Sequence, residues 1–150
     1  MSQDLNAVLR RYPNATTFTF GDSRELCDGL IELVRQGKKT ATCDALQSFE
    51  SEAEAMPVVG RRDIALDWDG RPALVLETES VDRVRFCDVE VDFALAEGED
   101  EDLAGWQRNH QAYFERSGGF DPKMILVCER FRLVEDLGRQ DSLGQESDNR

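Results

Sequence analysis

The sequence is poor in the residue types from which several common sites are built. Only one histidine, His110, occurs among the 150 residues, which excludes a metal site with two or more histidine ligands. The cysteines Cys27, Cys43, Cys87 and Cys128 contain no C-x-x-C pair. We therefore expect no metal and no other cofactor, and we interpret the cysteines as small apolar residues of a reduced core.

Long apolar runs are also absent, since none approaches the roughly 18–20 residues that span a bilayer. The first residues, Met1 to Asp4, include no basic segment followed by an apolar one, so we expect no signal peptide. No glycine-rich loop matches a phosphate-binding motif. These absences predict a soluble, cytoplasmic protein with no membrane partner.

Positive charge is scarce: 18 Lys and Arg stand against 31 Asp and Glu, a net charge of -13. Sequence-independent nucleic-acid binding depends on basic side chains, so we expect no extended surface for duplex nucleic acid. Much of the acid is local, because the stretch from Asp88 to Asp102 has eight acidic residues and no basic one. A small basic pocket inside an acidic shell remains compatible with this charge.

The length predicts one domain, assigned to residues 1–135, followed by a polar tail at 136–150 that we expect to be disordered. Strands and helices are interspersed without regular βαβ alternation. This pattern predicts an α+β fold with a mostly antiparallel, barrel-like sheet. Helices are predicted at 4–10, 23–36, 45–55, 91–97 and 101–116, and strands at 16–20, 64–68, 72–84 and 124–134.

Two of only three lysines, Lys38 and Lys39, follow directly on the predicted helix stop at Gly37. A desolvated lysine can serve as a base or an electrophile, and the alternative is a cationic cap on the helix dipole. Thr40 and Thr42 come next. A threonine hydroxyl becomes a nucleophile when a base takes its proton. The alternative is that these threonines only reflect the preference of threonine for β-strands. In an ideal strand Lys39 and Thr42 face opposite sides, so they meet only if Lys39 lies in the turn.

Two carboxylates differ from the many that are solvated. Glu97 ends the apolar segment 91–97 and precedes Gly98, which lets the backbone turn close to a pocket. Glu129 shares the face of Ile125 and Val127 in the strongest strand. A carboxylate there is either paired with an arginine or part of a pocket wall.

Trp106 and His110 lie on one stripe of the predicted helix 101–116. Aromatic rings at this spacing either pack in a core or stack on a flat base. The histidine is either hydrogen-bonded in that core or a catalytic base.

Several stretches together resemble the ASCH (ASC-1 homology) domain family, and specifically its longer bacterial branch of about 150 residues. The resemblance extends over residues 16–135. The matching stretches are FGDS at 20–23, GKKTAT at 37–42, VVG at 58–60, FALAEGEDEDLAGWQRNHQAYF at 93–114 and VCERF at 127–131.

The resemblance implies a PUA-like fold, a small β-barrel flanked by helices with a cleft beside the G-x-K turn. It also implies a connection to RNA or modified nucleosides. Family amidohydrolases that deacylate 4-N-acetylcytidine use a lysine, a threonine and a glutamate, which the G-x-K-x-x-T and A-x-x-E patterns place at Lys39, Thr42 and Glu97. Candidate ligand-binding residues are Gly37, Lys38, Thr40, Glu129, Trp106 and His110.

One departure from the family pattern concerns the ligand. The longer motif G-x-K-x-x-x-x-R would have an arginine where this chain has Asp44. An arginine could bind a carboxylate or phosphate with two hydrogen bonds, and an aspartate cannot. Substrate choice is therefore affected more than fold.

Three hypotheses follow. In the first, the protein hydrolyses an amide on an acylated pyrimidine nucleoside: Thr42 attacks the acyl carbon, Lys39 accepts the hydroxyl proton and Glu97 orients or protonates. In the second, it is a binding module or ribonuclease for single-stranded RNA, with Lys39 on phosphate and aromatic rings on bases. In the third, it binds a small nucleoside-like ligand without chemistry.

Overall fold

A computed structural model describes residues 4–51 and 56–138, which form five helices, five strands and a 3-10 turn at Phe86–Asp88. The helices are α1 (Leu5–Arg11), α2 (Arg24–Arg35), α3 (Leu46–Ser51), α4 (Val91–Ala96) and α5 (Leu103–Ser117). The strands are β1 (Thr16–Thr19), β2 (Ala41–Ala45), β3 (Arg62–Leu66), β4 (Pro72–Arg85) and β5 (Ile125–Asp136).

The strands form one mixed sheet in the order β1-β3-β4-β5-β2. β1 pairs with β3 in parallel, and the other three pairings are antiparallel. The sheet curls into a half-barrel with helices packed against it. The α+β class and the mostly antiparallel sheet are thus confirmed. The barrel-like curvature is confirmed too, as a half-barrel whose two edge strands, β1 and β2, do not pair with each other in the described residues.

Helix α2 begins where the sequence predicts, because the Ser23 side chain accepts a hydrogen bond from the Leu26 N–H at 3.1 Å. Such a cap contributes about 1 kcal/mol to stability. The apolar side of the helix, including Leu30 and Val34, packs in one core with Leu76 of β4. This packing fixes the C-terminal end of α2, and the turn after it, over one face of the sheet.

Strand β5 contributes side chains to two cores because alternate residues face opposite sides. Phe131 packs with α2 on one face. Leu126 and Cys128 pack on the other face in a core around Trp106 of α5. A third core joins α1 to β3 and β4 and includes Leu137.

The predicted tail begins too early. Strand β5 continues through Asp136, and Leu137 is fully buried in the third core, which overturns the assignment of those two residues to a disordered segment. The polarity of the flanking residues hides this one apolar anchor. Residues 139–150 lie outside the described residues, as do 52–55 of the predicted third helix.

The cysteines are all free, and they do not share one environment. Cys27 and Cys128 are buried as expected, whereas Cys87 is exposed, so the core interpretation is wrong for that residue. None of the helices formed by residues 4–51 and 56–138 is long and apolar enough to cross a membrane.

Candidate functional site

An open cleft of about 1270 Å³ lies between α2 and β1 on one side and the segment after α4 on the other. Part of its lining comes from β2 and β5. Lys39, Thr42, Asp44, Glu97, Glu99, His110 and Glu129 are among the lining residues.

Lys39 enters this cleft because of the way helix α2 ends. Gly37 has a φ of 78°, the left-handed conformation that favours glycine at a helix end. The backbone N–H groups of Lys38 and Lys39 both donate to the Leu33 carbonyl, at 3.0 and 3.1 Å. The chain thereby turns at once, and Lys39 is only 2% exposed while Lys38 is exposed.

The turn that carries Lys39 contacts the C-terminal end of α4. The Thr40 N–H donates to the Ala96 carbonyl at 2.7 Å. Gly98 has a φ of 77°, and a Cβ at that position would lie 2.3 Å from the Lys38 carbonyl oxygen. Only glycine fits such an approach, so Gly98 lets the segment after α4 rest directly against the lysine turn.

The Lys39 ammonium has an acceptor for each of its three N–H donors. Nζ lies 3.2 Å from Glu97 Oε1, 3.3 Å from the Glu97 carbonyl oxygen and 3.0 Å from Glu99 Oε2. Burial alone lowers the pKa of Lys39, but the two carboxylates outweigh it and the pKa lies above its usual value. Lys39 is therefore charged at neutral pH.

Glu97 is 2% exposed, and donors surround its carboxylate. Trp106 Nε1 donates to Oε2 at 3.1 Å, and His110 Nε2 lies 3.5 Å from the same oxygen. Burial raises the pKa of Glu97, yet the Lys39 charge and hydrogen bonds from His110 and Cys43 outweigh it and lower the pKa to about 2. Glu97 is therefore ionised and fixed in place.

His110 completes the support of Glu97. Its ring stacks on Trp106 with centroids 4.3 Å apart, and its Nδ1 lies 3.0 Å from the Trp106 carbonyl oxygen. Burial lowers the pKa of His110, but the hydrogen bond to Glu97 and its charge outweigh burial and raise the pKa. With an acceptor at each ring nitrogen, the charged form that donates from both is favoured.

Cys43, Glu97 and His110 place one possible metal ligand atom each within 4.8 Å of one another. The carboxylate is already occupied by Trp106 Nε1 and by the Lys39 ammonium. A second cation would be repelled by that ammonium, so we assign no metal to this cluster.

The other side of the cleft is built on paired strands. Thr42 of β2 stands directly opposite Glu129 of β5, and both side chains line the cleft. Glu129 Oε2 accepts a hydrogen bond from the Thr78 hydroxyl at 2.7 Å. Burial raises the pKa of Glu129 by more than this hydrogen bond lowers it.

The arginine partner considered for Glu129 belongs to another carboxylate. Arg61 contacts both oxygens of Asp63, at 2.8 and 3.1 Å. Within the described residues Glu129 has no ion pair, so the pocket-wall alternative holds. Asp44 lines the same cleft, and burial raises its pKa as well.

The structure thus brings together Lys39, Thr42, Glu97, Glu129 and His110 at one cleft. The remaining sequence candidates lie elsewhere. Trp106 is fully buried beneath Glu97 and is not part of the lining, so it supports the site rather than contacting a ligand. Gly37, Lys38 and Thr40 are exposed and lie outside the cleft lining.

Three residues at the site are absent from the sequence candidates. Glu99 contacts Lys39, Cys43 contacts Glu97, and Thr78 donates to Glu129. The E-G-E sequence at 97–99 carried a usable signal for Glu99, because a glycine between two acids can turn both towards one cation. The sequence contains no comparable signal for Cys43 and Thr78, because their contacts depend on the order of the strands in the sheet.

The model of the ASCH domain family matches residues 16–135 of the chain. Among curated proteins, no significant match is found. One similar solved structure is the crystal structure of an ASCH domain from Lactobacillus crispatus JV V101. It is 30% identical over 85% of this chain and 84% of that one, with a TM-score of 0.75.

A second similar structure is that of protein EF3133 from Enterococcus faecalis V583. It is 33% identical and covers 88% of this chain and 90% of the other, with a TM-score of 0.73. The family match, over residues 16–135, includes the strands and the segments that form the cleft. The chain therefore belongs to the ASCH domain family, with its PUA-like fold.

Proposed function

We propose that the protein is a hydrolase that cleaves the amide of an acylated pyrimidine nucleoside similar to 4-N-acetylcytidine. What supports this is one observation: a single cleft presents a threonine hydroxyl at Thr42, a buried cation at Lys39 and fixed carboxylates. Acyl transfer needs a nucleophile and a positive charge near the developing oxyanion.

Thr42 is the nucleophile of this proposal. It lies on β2 with its side chain towards the cleft, three residues after Lys39. Within the described residues its hydroxyl makes no side-chain hydrogen bond, so it is available to a substrate acyl group. Hydrolysis of the threonyl ester would return the enzyme to its starting state.

Lys39 stabilises charge in this scheme. Its raised pKa argues against the role of proton acceptor, because a charged ammonium has no lone pair to offer. Its three donors are engaged, and the Glu99 side chain, 26% exposed, is the partner a substrate oxygen can displace. Glu97 then holds Lys39 in position throughout.

The lining also favours a neutral nucleoside over RNA. The rings of Phe20, Phe49 and Tyr113 offer surfaces for a flat base. Each basic side chain of the lining is already paired: Lys39 with Glu97 and Glu99, His110 with Glu97, Arg61 with Asp63, and Arg116 with Asp22. A phosphate would therefore meet no unpaired cation among the described lining residues.

The test is incubation of the purified protein with 4-N-acetylcytidine while cytidine and acetate are followed by chromatography. We expect Thr42→Val, which keeps the shape and removes the hydroxyl, to abolish turnover. Thr42→Ser is the matched variant, because it keeps the hydroxyl, and we expect it to retain measurable activity. Thermal unfolding of both variants establishes that they fold.

Two results would contradict the proposal. One is the absence of cytidine release by the wild type above the uncatalysed rate, and the other is equal turnover by the wild type and Thr42→Val. A single-stranded RNA oligonucleotide, tested at low and high salt, serves the competing hypothesis. Steeply salt-dependent binding would favour RNA as the ligand.

A further inference from the structure

Thr42 and Glu129 occupy directly opposing positions of the antiparallel pair β2–β5. Opposing residues on one face have Cβ atoms about 4.5–5.5 Å apart. Both side chains line the cleft. We propose that Glu129 is the group that takes the proton from the Thr42 hydroxyl, an inference that rests on the proposed deacylation.

The other ionisable groups at the cleft are committed elsewhere. Lys39 is charged and hydrogen-bonded to carboxylates. Glu97, with a pKa of about 2, is a weak base enclosed by donors. His110 favours its charged form against Glu97, and Glu99 is paired with Lys39. Neither these groups nor Glu129 hydrogen-bonds the Thr42 hydroxyl among the described residues, so the directly opposing strand position is what distinguishes Glu129.

Asp44 is the competitor on the strand that carries Thr42, and it lines the same cleft. It lies two residues from Thr42, where the strand rise separates same-face residues by about 6.4–6.8 Å. Its Oδ1 also accepts a hydrogen bond from the Ala45 N–H at 2.8 Å. The opposing position gives Glu129 the shorter path to the hydroxyl.

The surroundings of Glu129 suit proton transfer in both directions. Burial raises its pKa, Asp63 on β3 raises it further, and the Thr78 hydroxyl and Arg61 lower it. Asp44 on β2 shares the cleft with it. A carboxyl whose pKa is moved up from its usual value towards neutral accepts and returns a proton more evenly than a strongly acidic one.

The Glu129 carboxylate takes the hydroxyl proton while Thr42 Oγ1 bonds to the acyl carbon. The tetrahedral intermediate then loses the exocyclic nitrogen, which leaves as an amine with the proton held by Glu129. Water attacks the threonyl ester and gives a proton to Glu129. The second tetrahedral intermediate then expels Thr42 Oγ1, which takes that proton back, so the acid is released and both the hydroxyl and the carboxylate are restored.

The experiment measures kcat/KM for 4-N-acetylcytidine from about pH 4 to 9 with Glu129→Gln, Glu129→Asp and Thr78→Val, each checked by thermal unfolding. We expect Glu129→Gln to lower kcat/KM by about 10²- to 10⁴-fold and to remove the acid limb of the profile. We expect Glu129→Asp to retain the limb. Thr78→Val removes a hydrogen bond that lowers the Glu129 pKa, so its acid limb moves to higher pH.

Asp44→Asn is the matched comparison, and we expect it to keep the acid limb. If Asp44→Asn loses the acid limb and Glu129→Gln keeps it, the base is Asp44 and the inference is wrong. Wild-type-like kcat/KM with an intact acid limb in folded Glu129→Gln also overturns it, while leaving the proposed deacylation standing. Absence of turnover by the wild type overturns both.

Discussion

Lys39 and Glu97 form an ion pair in which both side chains are almost completely shielded, with exposures of 1% and 2%. Removing two charges from water costs several kcal/mol for each ion, and close contacts only partly offset that cost. A hydrophobic pair could give equal stability at this position. The ion pair therefore indicates a chemical or positioning role for the cleft.

The depressed pKa of Glu97 predicts how stability depends on acidity. The folded value of about 2 lies below the ordinary value of 4.5, so the ionised carboxylate stabilises the fold fully above about pH 5. The difference corresponds to about 3 kcal/mol, lost as the pH falls from about 5 to 2. Urea denaturation across this range should show that the free energy of unfolding of the wild type falls by about this amount. The free energy of unfolding of Glu97→Gln should change less with pH.

Glu129→Gln is the control for that measurement, because its carboxyl has the opposite shift. A raised pKa means that the folded state binds the proton more tightly, so this group lowers stability as the pH rises past its ordinary value. In Glu129→Gln the free energy of unfolding should therefore fall less as the pH rises through this range. If the free energy of unfolding falls more steeply at acid pH in Glu97→Gln than in the wild type, the Glu97 carboxylate is not the stabilising charge.

Asp44 gives a prediction about ligand charge. Asp44→Arg places an unpaired cation in the cleft, so we expect the 5′-monophosphate of the nucleoside to bind more tightly relative to the nucleoside than it does to the wild type. Calorimetric titration of both ligands measures the ratio. Glu50→Arg, an exposed site on α3, is the matched control with the same change in net charge. An equal change in both variants would show a general charge effect.

The sequence predicts some of these side chains and misses others for a physical reason. Glu97 directly precedes Gly98 and Lys39 lies two residues after Gly37, and a glycine near an ionisable residue is a local signal of a tight turn. The Thr78 contact with Glu129 lies beside a register shift in β4 between Thr78 and Ser80. Such a bulge re-aims side chains only after the strands have paired, so the sequence alone does not indicate it.

Among the secondary-structure elements, α2 and β5 were the most predictable. The Ser23 cap and the Gly37 stop are local signals, and the continuous apolar run at 124–128 is typical of a buried strand. The parallel pairing of β1 with β3 was not predictable, because it depends on where α2 and β2 carry the chain between them. The barrel-like curvature was predictable, whereas which strands form the two edges was not, for the same reason.

The contact between the lysine turn and the segment after α4 gives a paired test. Gly98→Ala and Gly37→Ala impose the same left-handed strain, with φ values of 77° and 78°. A Cβ at Gly98 would meet the Lys38 carbonyl, whereas one at Gly37 would meet nothing within 4 Å. We expect Gly37→Ala to cost about 1 kcal/mol and Gly98→Ala at least twice that, as measured by denaturant unfolding. Equal losses of unfolding free energy in the two variants would mean that the segment after α4 can move away from the lysine turn at little cost.

Across the molecule as a whole, charge separates the remaining hypotheses. Seven acidic side chains line the cleft against one lysine, two arginines and His110, and the net charge of the chain is -13 with the histidine neutral. The acidic residues are Glu25, Asp44, Asp63, Glu97, Glu99, Asp100 and Glu129. Phosphodiester chains meet repulsion both at long range and inside the cleft.

We therefore expect no binding of a fluorescently labelled single-stranded RNA oligonucleotide at physiological salt, as measured by anisotropy. Lowering the salt should produce little change, because few phosphates could be neutralised. A bound fraction that rises steeply as salt is reduced would contradict this expectation and restore the RNA hypothesis.

The strand order also has a consequence for synthesis on the ribosome. β5 lies between β4 and β2 in the sheet although it follows both in the chain, so β2 has no strand partner until residues 125–136 have been made. Thr42 emerges early and Glu129 late. Until then β2 is an unpaired edge open to other chains, a state in which chaperone binding would be useful. Translation that stops before β5 would leave β2 unconnected to the other three strands, and the cleft without Glu129.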